Sequence, residues 1–264
     1  MFSYGFFINA LIGVILLSVA SAIIGTYIVS RRLVAISGGI THACFGGLGL
    51  GYYFGISPVA MAAVFAVGSS LGVDWIARRQ GVREDSAIAV IWALGMAVGT
   101  LFVFMTPGYV PELNAFLFGN ILTISRADLW MFAIFTALLI AFMAWRFHTI
   151  VICAFDPDFA RVRHLPVKFI TTVMTVMVAL CIVLTIKLVG VMLLMSMLAL
   201  PQMTAEVWAR RFVSIMWLSV AISLACSVGG LFLATVVEVP CSALIVLLMG
   251  AVYILAKITK SLTR

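Results

Sequence analysis

Long apolar runs separated by short clusters of charge constrain this chain more than any other feature. The runs are roughly 17–25 residues long, the length that a helix needs to cross a hydrocarbon layer about 30 Å thick. Only 9% of the residues are charged, 65% are hydrophobic, and the mean hydropathy is +1.26. Because so little polar surface is left for water, a soluble domain is excluded. The sequence predicts an all-α, polytopic integral membrane protein.

Charges, prolines and glycines divide the chain into nine predicted spans. The uncharged run from Leu33 to Val73 is too long for one helix and is expected to break at residues 55–58, where glycine and proline occur. A second hairpin is expected to turn near Lys187 and Gly190. The predicted spans cover residues 6–29, 34–54, 58–77, 86–106, 128–147, 168–187, 189–207, 213–234 and 239–258, and residues 1–264 form a single transmembrane domain. The loop 107–127 carries an apolar segment of its own, Ala115–Ile124.

The basic residues predict the orientation of these spans. With the N-terminus outside and the C-terminus cytoplasmic, fourteen of the sixteen basic residues fall on the cytoplasmic side, and only Arg126 and Lys187 fall outside. Basic residues favour the cytoplasmic side of short loops. The net charge of +7 is therefore explained by membrane topology, without a nucleic-acid partner.

His42 is the first candidate for a functional residue. It lies ten residues beyond Arg32, about 15 Å along a helix and near the middle of the bilayer, where an ionisable side chain is costly and marks a candidate site. Its neighbours on the adjacent turns are Gly38, Gly39 and Gly46, which lack side chains. These glycines either line an ion pathway that approaches the imidazole or only permit tight helix packing.

A short helix is predicted at residues 154–161, in the longest polar stretch of the chain. Asp156 can cap the helix, Pro157 suits its first position, and Asp158 complements the positive end of its dipole. A basic residue, Arg161, follows near its end.

Phe155 and Phe159 would share one face of this helix, so the cytoplasmic segment 149–167 is a candidate docking element for a partner protein. The alternative is a turn that rests on the lipid headgroups. None of the four lysines follows a glycine, so the chain has no G-x-x-x-x-G-K-[ST] phosphate-binding loop. We therefore expect a transport subunit rather than an enzyme, with any ATP hydrolysis carried out by a partner.

Several motifs, in order and spacing, resemble the permease subunits of metal-ion ABC importers, the zinc, manganese and iron permease family. The resemblance extends nearly from end to end. The motifs are RRL at 31–33, SGGITHA at 37–43, EDSAI at 84–88, FLFGNIL at 116–122, FDP at 155–157, KLVGVMLL at 187–194 with Pro201 and Ala205, and VPCS at 239–242. The resemblance implies a permease homodimer, cytoplasmic ATP-binding subunits that grip a segment such as Phe155–Arg161, and an extracytoplasmic metal-binding protein that delivers the ion.

The sequence departs from this family at one position near His42. Many members carry an aspartate four residues before the histidine, where this chain has Gly38. Zn²⁺ is therefore the first expectation for the transported ion, and Mn²⁺ or Fe²⁺ the second, because an imidazole without a carboxylate favours a borderline ion over manganese. The Thr41 hydroxyl, freed backbone carbonyls or a second His42 across a dimer would supply further ligands.

Glu238 lies at the predicted outer end of the last span, where it would meet an incoming cation. No resident cofactor is expected. An alternative from another class is an ATP-independent secondary transporter or channel for small cations. That alternative predicts more carboxylates at mid-membrane depth than the sequence contains.

Overall fold

The computed structural model describes residues 5–81, 83–107, 119, 121 and 124–262, and these are almost entirely helical. Eight of the nine described helices are long and apolar enough to cross a membrane, and the ninth, α6, is short. The helices are α1 Gly5–Ser30, α2 Val34–Phe54, α3 Pro58–Gln80, α4 Glu84–Met105, α5 Arg126–Phe155, α6 Pro157–Val162, α7 Val167–Trp208, α8 Phe212–Val237 and α9 Cys241–Leu262. The all-helical polytopic fold is thus confirmed. The predicted apolar segment 115–124 lies outside the described residues except for 119, 121 and 124.

Helix α7 is 42 residues long because it contains two helices joined at Gly190, whose φ of 81° and ψ of 172° are not helical. Thr175, before the break, and Met203, after it, each line a cavity together with Arg31, so both halves reach the same end of the bundle. At the opposite end, the Ser242 hydroxyl lies 3.5 Å from the carbonyl of Val189. The chain therefore folds back at Gly190, where the sequence predicts a hinge, and α7 crosses the bundle twice within the described residues.

The predicted ends of the other spans agree with the structure to within a few residues. The fifth span was expected to stop at residue 147, and the backbone of α5 leaves the helical region at Arg146 (φ −116°, ψ 22°), where two helices meet at a kink. The second of these helices continues to Phe155 and was not expected from the sequence. The Arg146 guanidinium lies over the ring of Trp145, 4.3 Å from its centre.

Three helices, α1, α2 and α7, form the most buried part of the bundle. Helix α2 packs against α1, α3, α4 and α7, whereas α4 packs mainly on α2 and α3 at the periphery. Large apolar side chains are exposed on the outer surface, among them Phe104, Trp130 and Trp217. Exposed apolar side chains of this size are expected where lipid rather than water is the solvent.

The two ends of the bundle carry different charges. Arg31, Arg32, Arg210, Lys257 and Lys260 line one cavity where α1, α7 and α9 end. The opposite end holds Lys187, which pairs with Asp128 in the first turn of α5. The charge asymmetry inferred from the sequence is therefore a separation of basic residues to one end of the fold.

Candidate transport site and docking helix

Glycines bring α2 very close to α4. A side chain at Gly49 would overlap the backbone of Gly99, and a side chain at Gly95 would come within 2.5 Å of the Cα atom of Ala43. Residues later in α2 contact residues later in α4, so the two helices run parallel from the same end of the bundle. Such small-residue contacts are the usual way in which membrane helices approach each other.

The three glycines predicted to line a pathway each lie against a side chain of another helix. A Cβ atom at Gly46 would be 2.7 Å from the ring of Phe65, and one at Gly39 would overlap Ile88. At Gly38, a Cβ atom would be 2.8 Å from the terminal methyl of Met195. In this conformation the three positions serve packing, and their role in a pathway stays a prediction.

Gly38 is the position where the family resemblance predicts an aspartate, one turn before the histidine. Because Met195 of α7 occupies the space that a side chain would take, a carboxylate at this position would require Met195 to move. The displaced atoms belong to the end of a flexible side chain and not to backbone, so the movement is possible.

The His42 ring stacks on the indole of Trp92, with ring centres 4.5 Å apart and planes within 1° of parallel. His42 is half-buried and Trp92 is 42% exposed, so the pair lies at the edge of the α2–α4 contact. Stacking covers a face of the imidazole, whereas a ring nitrogen binds a metal through the lone pair in the ring plane. The stack therefore restricts the orientation of the imidazole ring but does not block metal binding by its nitrogen atoms.

Trp92 was not singled out from the sequence, although a signal for it exists. His42 and Trp92 are each the ninth residue of their helices, Val34–Phe54 and Glu84–Met105. Parallel helices that start at the same end place such residues at equal depth. The missing information was that α2 and α4 are neighbours.

The other two predicted metal ligands lie apart from His42. The buried Thr41 hydroxyl donates to the carbonyl of Ser37, one turn earlier, at 2.5 Å. Glu238 is exposed at the end of α8, a helix that is not among the main neighbours of α2. Among the described residues, no three His, Cys, Asp or Glu side chains come together to hold a metal ion. The ligand roles of His42, Thr41 and Glu238 stay predictions.

The short helix predicted at residues 154–161 is present as α6, Pro157–Val162, and its capping is as predicted, but Phe155 ends α5 and does not share a helix with Phe159. The Asp156 carboxylate accepts a hydrogen bond from the backbone N–H of Phe159 at 2.8 Å, and Pro157 occupies the first turn. Asp158 forms an ion pair with Arg161 at 2.6 Å. These local contacts stabilise a helix of only six residues, which is too short to persist on propensity alone.

Two partly exposed aromatic rings lie on either side of the Asp156 cap, Phe155 at the end of α5 and Phe159 within α6. Phe155 is 57% exposed and Phe159 46% exposed, and the Arg163 guanidinium lies 5.4 Å from the centre of the Phe159 ring. Ala160, the residue after Phe159, is fully buried and fixes the helix to the bundle. The arrangement suits attachment of a partner protein, and that role stays a prediction.

The fold and these features define a multi-pass membrane protein of the permease type. The family model described as the ABC 3 transport family matches residues 3–260, so the chain belongs to that family. It is accordingly the transmembrane permease subunit of a bacterial ABC transporter and not its ATPase, as the sequence predicts. Membership of this family rules out the alternative of an ATP-independent secondary transporter or channel.

Three similar proteins extend this finding. The chain is 36% identical to a probable metal transport system membrane protein of Chlamydia pneumoniae, over 89% of this chain and 83% of the relative. It is 27% identical to a manganese transport system membrane protein of Halalkalibacterium halodurans, over 97% of this chain and 88% of the relative. The PsaBC structure from Streptococcus pneumoniae superimposes with a TM-score of 0.84 and 26% identity, covering 96% of this chain and 91% of that one.

Proposed function

We propose that this permease imports a divalent transition-metal ion and that Zn²⁺ is the ion. The observation that carries the proposal is the position of His42, an ionisable side chain midway along the most enclosed helix of a permease. The names of the relatives in Chlamydia and Halalkalibacterium support a metal as cargo. Zinc is supported by the donor set, because imidazole suits zinc while manganese prefers carboxylate and carbonyl oxygens.

Manganese, with iron, is the second candidate. The relative named for manganese supports it, and it requires oxygen ligands that the described residues around His42 do not provide as carboxylates. Backbone carbonyls, the Thr41 hydroxyl, or the second copy in a homodimer would then have to complete the coordination.

Uptake by the reconstituted importer tests both the ion and the site. The permease, its ATPase and its binding protein are placed in proteoliposomes, and ATP-dependent uptake of radiolabelled zinc is measured against excess manganese. Zinc uptake that manganese does not block supports zinc, and competition by manganese supports the second candidate. His42→Ala should abolish most of the uptake, and His148→Ala, an exposed imidazole on α5, is the matched control.

We also propose how the subunits assemble around this chain. The basic end of the bundle faces the cytoplasm, which places the N-terminus outside, because positive residues favour that side. Helix α6 then docks the ATP-binding subunit, and the opposite end, which carries Glu238, receives the extracytoplasmic metal-binding protein. ATP binding and hydrolysis in the partners move α6, and the permease dimer opens alternately to either side around α2.

Co-purification tests the docking role. Phe155→Ala and Phe159→Ala should each reduce the amount of ATPase that purifies with the permease, because the exposed rings lose their contact area. Trp217→Ala is the matched control, since this side chain is 65% exposed on α8. Equal retention of the ATPase by all three variants would contradict the docking proposal.

A further inference from the structure

A large cavity opens at the basic end of the bundle. Its volume is about 1180 Å³, and it is bounded by the ends of α1, α5, α7 and α9 and by the starts of α6 and α8. A space of this size exceeds what a metal ion or a few water molecules need, and it is slightly larger than the pockets of roughly 300–1,000 Å³ that hold organic ligands.

The walls of the cavity are strongly cationic. Five basic side chains, Arg31, Arg32, Arg210, Lys257 and Lys260, face one carboxylate, Glu206. Arg32, Arg210 and Lys257 are exposed, so their charged groups are not enclosed by protein. Cations that converge from the ends of α1 and α9 and from the turn before α8 repel one another, and an anion in the cavity relieves that repulsion. Guanidinium and ammonium groups together are the usual donors to phosphate.

Helix α9 combines this cationic wall with an apolar outer face. Its cavity face carries Lys257 and Lys260, whose ammonium group donates to the carbonyl of Val207 and fixes the helix end to α7. The other face of the same turns is apolar and at least half exposed. It consists of Ile254, Leu255, Ile258 and Leu262.

We propose that this cavity binds the phosphate headgroup of an anionic phospholipid, whose acyl chains lie along the apolar face of α9. Basic pockets between membrane helices near the cytoplasmic surface are suited to such headgroups. The apolar face favours a lipid over a soluble phosphate compound, because it offers a surface for chains that a soluble ligand lacks. The inference rests on the proposed orientation, in which this end of the bundle faces the cytoplasm, and it is independent of the transported ion.

Lipid binding to the purified, delipidated permease tests the proposal. Native mass spectrometry measures the affinity for phosphatidylglycerol, with zwitterionic phosphatidylethanolamine as the reference lipid. Arg210→Gln combined with Lys257→Gln should weaken phosphatidylglycerol binding about 25-fold, at about fivefold per charge. The matched control, Arg163→Gln with Lys168→Gln, removes the same charge from exposed residues of the same end outside the cavity and should bind as the wild type does.

Glu206→Gln provides a test that misfolding cannot imitate. It removes the carboxylate of the cavity wall and should tighten phosphatidylglycerol binding about fivefold. Equal binding by all variants, or equal binding of the two lipids, would overturn the proposal. Displacement of the lipid by millimolar inorganic phosphate would show that the cavity serves a soluble phosphate. Normal lipid binding with loss of the co-purifying ATPase would assign the cations to the ATPase interface instead.

Discussion

Replacing Gly190 by alanine tests the turn that divides α7 into two helices. Gly190 is buried, and its φ of 81° with ψ of 172° lies in a region that only glycine adopts without strain. Strain of this kind costs about 1–3 kcal/mol. For a chain of this size, about 2–4 °C of melting temperature correspond to each kcal/mol, so Gly190→Ala should lower the melting temperature by about 2–12 °C.

The assay is thermal unfolding of the purified permease in detergent, followed by tryptophan fluorescence. Gly250→Ala is the matched control, because Gly250 lies within helix α9 and a Cβ atom there would meet no atom within 4 Å. Alanine is the better helix former by about 1 kcal/mol, so this variant should melt at or slightly above the wild-type temperature.

Substitution by asparagine at Gly190 and at Gly55 distinguishes backbone strain from the other effects of adding a side chain. Gly55 caps α2 in the left-handed region (φ 66°, ψ 21°), which asparagine adopts more readily than most residues. Gly190 lies outside that region, so Gly190→Asn should destabilise as much as Gly190→Ala, whereas Gly55→Asn should be tolerated. If the Gly190→Ala and Gly190→Asn variants have the melting temperature of the wild type, the chain does not turn at Gly190 and α7 does not cross the bundle twice.

Three further predictions concern the site and the docking helix. Gly38→Asp should raise manganese uptake relative to zinc uptake, because it places a carboxylate one turn before the imidazole, and Gly38→Ala, which displaces Met195 without adding charge, should leave the ratio unchanged. Trp92→Leu should remove about 1 kcal/mol of stacking from His42, visible as histidine NMR signals that broaden while the melting temperature falls by about 2–4 °C. Asp156→Ala should cost the cap of α6 about 1 kcal/mol and weaken ATPase binding about fivefold in a titration, whereas Asp156→Asn should retain most of it.

The sequence predicted the helices well because local features determine where a membrane helix ends. Gly55 and Pro58 end one span and begin the next, and Asp156 with Pro157 starts α6, as expected. The fifth span follows the same rule. It was expected to stop at residue 147, and the backbone leaves the helical region at Arg146, although a further helical segment then continues to Phe155.

The surroundings of His42 were less predictable, because they depend on which helices are neighbours. The sequence showed that a glycine stands one turn before the imidazole, but it did not show that a methionine from α7 fills the space. The stack on Trp92 likewise requires the parallel pairing of α2 with α4, which side-chain periodicity does not encode. Depth along each helix can be counted from the sequence, whereas lateral neighbours come only from the fold.

The packing at Gly38 also bears on the choice of ion. A loss of the family aspartate alone would leave a gap beside His42 that water or another oxygen ligand could enter. Instead, the terminal methyl of Met195 lies 2.8 Å from the position that a Cβ atom at residue 38 would take. In this conformation the approach to His42 from that side is apolar, which disfavours an ion that needs several hard oxygen ligands and is compatible with one that accepts imidazole. Because Gly38 and Met195 share one space, their substitutions should not be additive, and Met195→Ala should strengthen the effect of Gly38→Asp on the manganese-to-zinc ratio.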